Sequence, residues 1–502
     1  MLFNSIEFLI FLPIVVGLYY LIPVKWAKLR QLWLLICSFY FYMCWNAVYI
    51  LLMLFSIVVT YLCGLALGRV QAREGMDEKK RTRRKKLLVA VCFVLNLGIL
   101  FFFKYFNFAL DSLNLLLSPL GFQLNDPSFD VLLPVGISFY TFQALGYTID
   151  VYRGDIYPEK SFISYALFVS FFPQLVAGPI ERSKNLLKQL AKPKRASFDS
   201  LREGLLLMIW GMFLKLVLAD RIAILVDTVY GPNYMDYGGI YVILATVLFA
   251  VQIYCDFGGY STIAMGAAKM LGIDLMENFN TPYLSLSCAE FWRRWHISLS
   301  SWFRDYVYIP LGGNRKGRAR KYLNLMITFG VSGLWHGANW TFVAWGLLNG
   351  AYQVMGDILK PVRQRLIRLF GLDQTSLSHK RLRLLCTFVL IDLAWVFFRA
   401  QSIGAAFSML RSMLYIRPFS LVDGSIFGLG LDSANFTVML IGLGILIFAD
   451  LMKYKGVKIR SVIAKQDYWF QALVIALSIV LIAVFGVWGM QYDAASFIYF
   501  QF

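Results

Sequence analysis

The sequence predicts an all-α, polytopic integral membrane protein, and three observations carry that expectation. Apolar residues make up 59% of the 502-residue chain and charged residues only 15%, against roughly half and a quarter in soluble domains. Apolar segments long enough for a hydrocarbon core of about 30 Å recur along the chain. The short connections between them carry Lys and Arg in the alternation expected of positive-inside topology. The net charge of +19 therefore reports orientation in a bilayer, and no nucleic-acid footprint is expected. No long polar region divides the pattern, so residues 1–502 read as one membrane domain of about twelve spans plus re-entrant or interfacial helices.

The elements follow in order. Apolar segments near 8–23, 31–47 and 48–68 come first, the first two divided by Lys25, Lys28 and Arg30. Met1 to Asn4 lacks a basic region and Glu7 leads straight into the first segment, so no cleavable signal is expected. Nine Lys and Arg residues between Arg69 and Lys86 form a basic loop on the cytoplasmic side. Counting back places Lys25 to Arg30 inside too, and the N-terminus outside. A span near 87–106 leads to a loop, 107–130, without Lys or Arg, as suits the outer face.

A span near 131–150 follows. The apolar run 162–180 is interrupted by Phe172-Pro173-Gln174 and Gly178-Pro179. It reads as re-entrant or interfacial, because broken backbone at membrane depth must be buried in protein or line a wet cavity. Spans near 204–228 and 238–257 come next, then an amphipathic region reaching Arg320. The segments 322–339 and 341–359 form a hairpin that returns to Lys360, Arg363, Arg365 and Arg368. Segments at 384–398, 436–452 and 468–489 complete the set.

Two of the three histidines stand within one stretch, each next to a tryptophan: Trp295-His296 and Trp335-His336. An ionisable residue inside an apolar segment is costly to keep, so His336 reads as a functional site by default. Imidazole is suited to moving protons near neutral pH. The alternative for His336 is a packing histidine bonded to a carbonyl. Gly333 and Gly337, with Gly346 and Gly350 on the returning helix, allow the two backbones to approach closely and hold it rigidly. If that helix began at Lys321, His336 would lie about 22 Å along it.

His296 follows Trp292-Arg293-Arg294-Trp295 and precedes Trp302-Phe303-Arg304. Alternating aromatic and basic residues suit a helix lying in the membrane interface, where a histidine needs no catalytic role. His379, in a polar basic loop, reads as solvated. The seven cysteines are scattered, without metal-ligand spacing or a disulfide framework, so small buried packing is expected and a metal site is not. Serine-triad, phosphate-loop, zinc-protease and dinucleotide motifs are missing from the sequence. A histidine without a nucleophile partner suggests a general base acting on a substrate hydroxyl, sufficient where the acyl donor is already activated.

Several strings carry a resemblance. Glu277-Asn278-Phe279-Asn280-Thr281-Pro282-Tyr283-Leu284-Ser285, Phe291-Trp292-Arg293-Arg294-Trp295-His296 and Trp302 through Arg315 resemble the membrane-bound O-acyltransferase family, in its alginate O-acetyltransferase branch. Val135 through Gln143, Phe172 through Ile180 and the terminal Phe497 through Phe502 are similar to the same branch. The similarity runs along nearly the whole chain, with a signature core at about 131–360. It maps the family's catalytic histidine onto His336 and its second signature histidine onto His296. One departure is Gly259-Tyr260-Ser261-Thr262, where the branch pattern ends in Asp; it bears on local polar bonding or acceptor choice.

The resemblance implies a multi-pass enzyme of the bacterial inner or plasma membrane, without a bound cofactor. It would move an acyl group, acetyl by the name of the branch, from a cytosolic thioester such as acetyl-CoA to a hydroxyl of an extracytoplasmic cell-surface polysaccharide. His336 in a central tunnel would take the hydroxyl proton. His296 would orient the donor, with Arg293 and Arg294 near its anionic groups. Transfer would be direct or by relay to an extracytoplasmic, esterase-like acetyltransferase partner. D-alanyl transfer to teichoic acid from a carrier protein is the alternative within the family. A polysaccharide or ion transporter, with the histidines as a proton relay, is the alternative from another class.

Overall fold

The computed structural model describes residues 1–122, 124, 134–176 and 178–488. The terminal string Phe497 through Phe502 lies outside them, as do residues 123 and 125–130 of the expected loop 107–130; residues 107–120 of that loop are helical instead, within Phe106–Leu117 and the turn Ser118–Leu120. Among the described residues all regular structure is helical. Five helices among the described residues are long and apolar enough to cross a membrane: Ala47–Ala72, Glu78–Leu120, Gly239–Met270, Ser433–Tyr454 and Tyr468–Phe485. A sixth span arises if Ile6–Leu21 and Val24–Met43, bent by 110°, count as one.

Length and hydropathy among the described residues therefore support five or six of the expected twelve spans. The segment 204–228 is helical without a gap, through Phe198–Met212, a π-helical turn Phe213–Ala219 and Asp220–Val229, but it carries Lys215, Asp220 and Arg221 within it. The basic stretch after the third segment also differs from its expected form. Only residues 73–77 are non-helical there, since a helix already begins at Glu78. Glu, Lys and Arg are good helix formers, and the Asp77 side chain caps the first turn by accepting from the Lys80 N–H at 3.1 Å. At 1.5 Å per residue the 43 residues of Glu78–Leu120 reach about 65 Å. That is twice a hydrocarbon core, so its basic turns can stand outside it as helix.

The chain falls into two compact units, Met1–Leu205 with Ile263–Met276 and Leu206–Thr262 with Glu277–Phe502. In the first, the run 162–180 is broken as Pro173 requires: helix Phe162–Ser170 stops, Phe171 is extended, and a single turn Phe172–Leu175 follows. Buried side chains take up the polar groups the break releases. Ser38 Oγ accepts from the Phe172 N–H at 3.1 Å. The Phe168 carbonyl accepts from Gln143 and Gln174 at 2.6 and 2.7 Å. A buried break is tolerable only when such partners exist.

The second unit holds both histidines of the signature strings. Its elements are α1 (Gly239–Met270, up to Thr262 in this unit), α2 (Cys288–Arg294), α3 (Ile297–Phe303), α4 (Gly317–His336), α5 (Trp340–Ile358) and α6 (Leu377–Arg399). α4 and α5 form the expected hairpin around residues 337–339, and Asn339 caps α5 by accepting from the Thr341 N–H at 3.0 Å. Their glycines meet: a Cβ on Gly346 would stand 3.0 Å from the Gly333 Cα and would fall on the Phe329 carbonyl oxygen. Nearby, the π-helical turn carries Lys215, buried between Asp220 and Asp256 with both carboxylates at 2.7 Å.

Candidate active site

His336 is the last residue of α4, followed by an extended Gly337. The helix starts at Gly317, one turn earlier than Lys321, so His336 lies about 28 Å along it, at its end and beside the hairpin turn. A Cβ on Gly337 would overlap the Phe342 ring, so glycine lets the turn close beneath the histidine. The side chain is buried in aromatic rings. The centroids of Trp335, Trp345 and Phe398 lie 4.9, 5.0 and 5.5 Å from the imidazole, all edge to face. Trp345 in turn stacks on Trp395 of α6 at 5.6 Å and 22°. Below it, Asn349 Nδ2 donates to the Trp345 carbonyl and Asn349 Oδ1 accepts from Trp292 Nε1.

His296 links α2 and α3 and is 1% exposed. That burial corrects the reading of an interfacial histidine on one continuous surface helix, because α2 and α3 are two short helices with His296 at their joint. Its backbone is left-handed, with φ 43° and ψ 54°. Such a conformation costs a non-glycine residue on the order of 1–3 kcal/mol and persists only where surroundings hold it. The imidazole lies 4.6 Å from the Phe257 ring of α1 and 6.0 Å from Trp335. The two histidine rings are 6.4 Å apart, centroid to centroid, at 66°. Residues forty positions apart in the sequence thus share one enclosure.

The arginines do not join them there. Arg293 is exposed. Arg294 pairs with Glu290 at 2.8 Å, donates to Thr281 Oγ1 at 3.0 Å and lies over the Tyr454 ring. These bonds tie α2 to the 280–281 segment. His379 lies in the first turn of α6, where Ser376 Oγ caps its N–H. At the Gly259–Thr262 departure, Thr262 Oγ1 donates to the Gly258 carbonyl at 2.6 Å. Ser261 Oγ accepts from Asn278 Nδ2 at 3.0 Å.

Sequence reasoning missed Phe257, Trp345, Phe398 and Asn278 as neighbours of the histidines. Asn278 was visible inside one quoted string, but its side-chain partners come from a different helix and carry no sequence spacing. The two imidazoles share one aromatic enclosure, 6.4 Å apart from centroid to centroid.

A family model described as the membrane-bound O-acyltransferase family matches residues 22–397, which include both histidines. The chain is 38% identical to a probable alginate O-acetylase of Pseudomonas aeruginosa over 452 residues, covering 90% of this chain and 81% of that one. It is 35% identical to a peptidoglycan O-acetyltransferase of Helicobacter pylori over 453 residues, covering 84% and 81%. Similarity to a teichoic acid D-alanyltransferase of Streptococcus thermophilus is 29% over 239 residues, covering 44% and 56%.

Proposed function

This chain belongs to the membrane-bound O-acyltransferase family, and on that premise we propose that it moves an acetyl group from a cytosolic thioester to a hydroxyl of an extracytoplasmic polysaccharide. It is a multi-pass protein of the bacterial membrane. Relatives named for acetylation of alginate and of peptidoglycan support acetyl as the group and a cell-envelope polymer as the acceptor. The D-alanyl alternative has thinner support, since that similarity covers less than half of the chain.

The observation that carries the mechanism is the pair of buried imidazoles 6.4 Å apart. His336 takes the proton of the acceptor hydroxyl as its oxygen bonds to the thioester carbonyl carbon. His296 hydrogen-bonds the carbonyl oxygen of the donor and orients it. The tetrahedral intermediate collapses, the carbon–sulfur bond breaks, and His336 returns the proton to the departing thiolate. Ester and thiol result, with no proton gained or lost. Arg293, exposed three residues before His296, is free to meet anionic groups of a donor such as acetyl-CoA. An esterase-like acetyltransferase on the outer face would receive the group where transfer is by relay.

Mass analysis of cell-envelope polymers with and without the protein tests this reading. The expected result is loss of one acetyl ester in the deletion strain and its return with the parental chain. Unchanged esters, or sugar movement by the purified protein without thioester consumption, would overturn it. Within the same assay, His296→Ala is expected to lower ester formation on the order of 10²-fold, as removal of a transition-state hydrogen-bond donor does. Normal ester content in that variant would return His296 to a packing role.

A further inference from the structure

His296 is held by a short ladder that the chemistry itself does not call for. On its N-terminal side, the Arg294 carbonyl accepts from the Asn280 N–H at 2.9 Å. On its C-terminal side, the Asn278 carbonyl accepts from the Ile297 N–H at 3.0 Å, and Asn278 Oδ1 accepts from the Ser298 N–H at 3.3 Å. The remaining amide group, Nδ2, donates to Ser261 Oγ. Asn278 and Ser261 are both buried, at 1% and 2% exposure.

Ser261 stands four residues after Phe257 on α1, and residues at i and i+4 share a helix face. That face therefore holds His296 twice: Phe257 meets the imidazole, and Ser261, through Asn278, fixes the backbone behind it. A loop that needed only to turn could place glycine at the left-handed position without strain. A side chain kept in that conformation points to a role for its ring.

We propose that Asn278, anchored by Ser261, is a positioning residue that holds the His296 ring in line with His336 for acyl transfer. The proposal rests on the reading of His296 given above. Small displacements of a positioned group are costly, on the order of 10²-fold in rate for about 1 Å.

The test uses membrane vesicles containing the full chain, supplied with acetyl-CoA and envelope polymer, with ester formation and thiol release both followed. Asn278→Ala and Ser261→Ala are each expected to lower the initial rate about 10–100-fold. Membrane abundance should stay near the parental value, while melting in detergent falls modestly in Asn278→Ala, which leaves the buried Ser298 N–H without its partner. The discriminating measurement is a double-mutant cycle. In a His296→Gln background, adding Asn278→Ala should change the residual rate by less than about 2-fold, because coupled residues are not additive.

Equal loss in both backgrounds would assign Asn278 to general structure and overturn the proposal, as would parental rates in both single variants. Should Asn278→Ala fail to accumulate, Ser261→Ala, which removes only the anchor, decides the matter. Failure of the functional reading looks different. Parental vesicles would then release no thiol, or His296→Gln would run at the parental rate.

Discussion

His336→Ala should abolish nearly all acyl transfer while leaving the protein in the membrane. General-base catalysis typically contributes about 10²–10⁴-fold, and His336 would be the group that takes the hydroxyl proton. His336→Gln should be almost as inactive. Its amide keeps a similar shape and can hydrogen-bond, but it accepts no proton at neutral pH. Accumulation should hold in both variants, because the neighbouring rings Trp345, Trp395 and Phe398 pack on one another without the imidazole: Trp345 and Phe398 lie 5.1 Å apart, Trp395 and Phe398 5.3 Å. Ester content of the envelope polymer, measured with the membrane abundance of each variant, checks the prediction. Near-normal ester content in His336→Gln would remove the base assignment and make His296 its first replacement.

The largest effect on folding is expected at the glycines where α4 and α5 cross. A Cβ on Gly333 would fall on the Phe342 carbonyl oxygen, with the Gly346 Cα at 3.3 Å, and neither obstacle is a flexible side chain. Gly346 faces the Phe329 carbonyl in the same way. Gly346→Ala should therefore destabilise by about 1–3 kcal/mol, as overpacking does, and Gly346→Leu should prevent accumulation altogether. Gly356 supplies the control. It lies in the same helix, yet a Cβ there would meet nothing within 4 Å. Ala is the better helix former by about 1 kcal/mol, so Gly356→Ala should be neutral or slightly stabilising. Melting of detergent-extracted protein would distinguish them; equal melting of Gly346→Ala and Gly356→Ala would refute the close-approach argument.

The parts of the site that sequence makes legible are those with a local period. Gly346 could be read from its spacing with Gly350, because one helical turn brings such residues onto one face, whereas Gly337 falls past the end of α4 and closes the turn instead. Pro173 announced its break through the missing N–H. His336 was legible because an ionisable group in an apolar run needs a reason.

What escaped depends on long-range partners. Nothing local says that Trp295-His296 would turn left-handed, since the bonds that hold it come from Asn278 and, behind it, Ser261. Arg294 looked available for an anionic ligand because Glu290, Thr281 and Tyr454 meet it only after folding. Hydropathy alone likewise does not show that Ile6–Leu21 and Val24–Met43 meet at a bend of 110°.

The buried Lys215 has a consequence for biosynthesis. Its two carboxylate partners leave the ribosome at different times: Asp220 follows almost at once, Asp256 only after about forty further residues. At about 5–20 residues per second, that interval lasts several seconds. A lone ammonium group entering the bilayer during it would be costly. The π-helical register, which relates residues i and i+5, instead gives Lys215 a carboxylate from its own nascent segment. Lys215 and Asp220 can thus enter the membrane as a neutral pair, and Asp256 docks on a cation already sheltered.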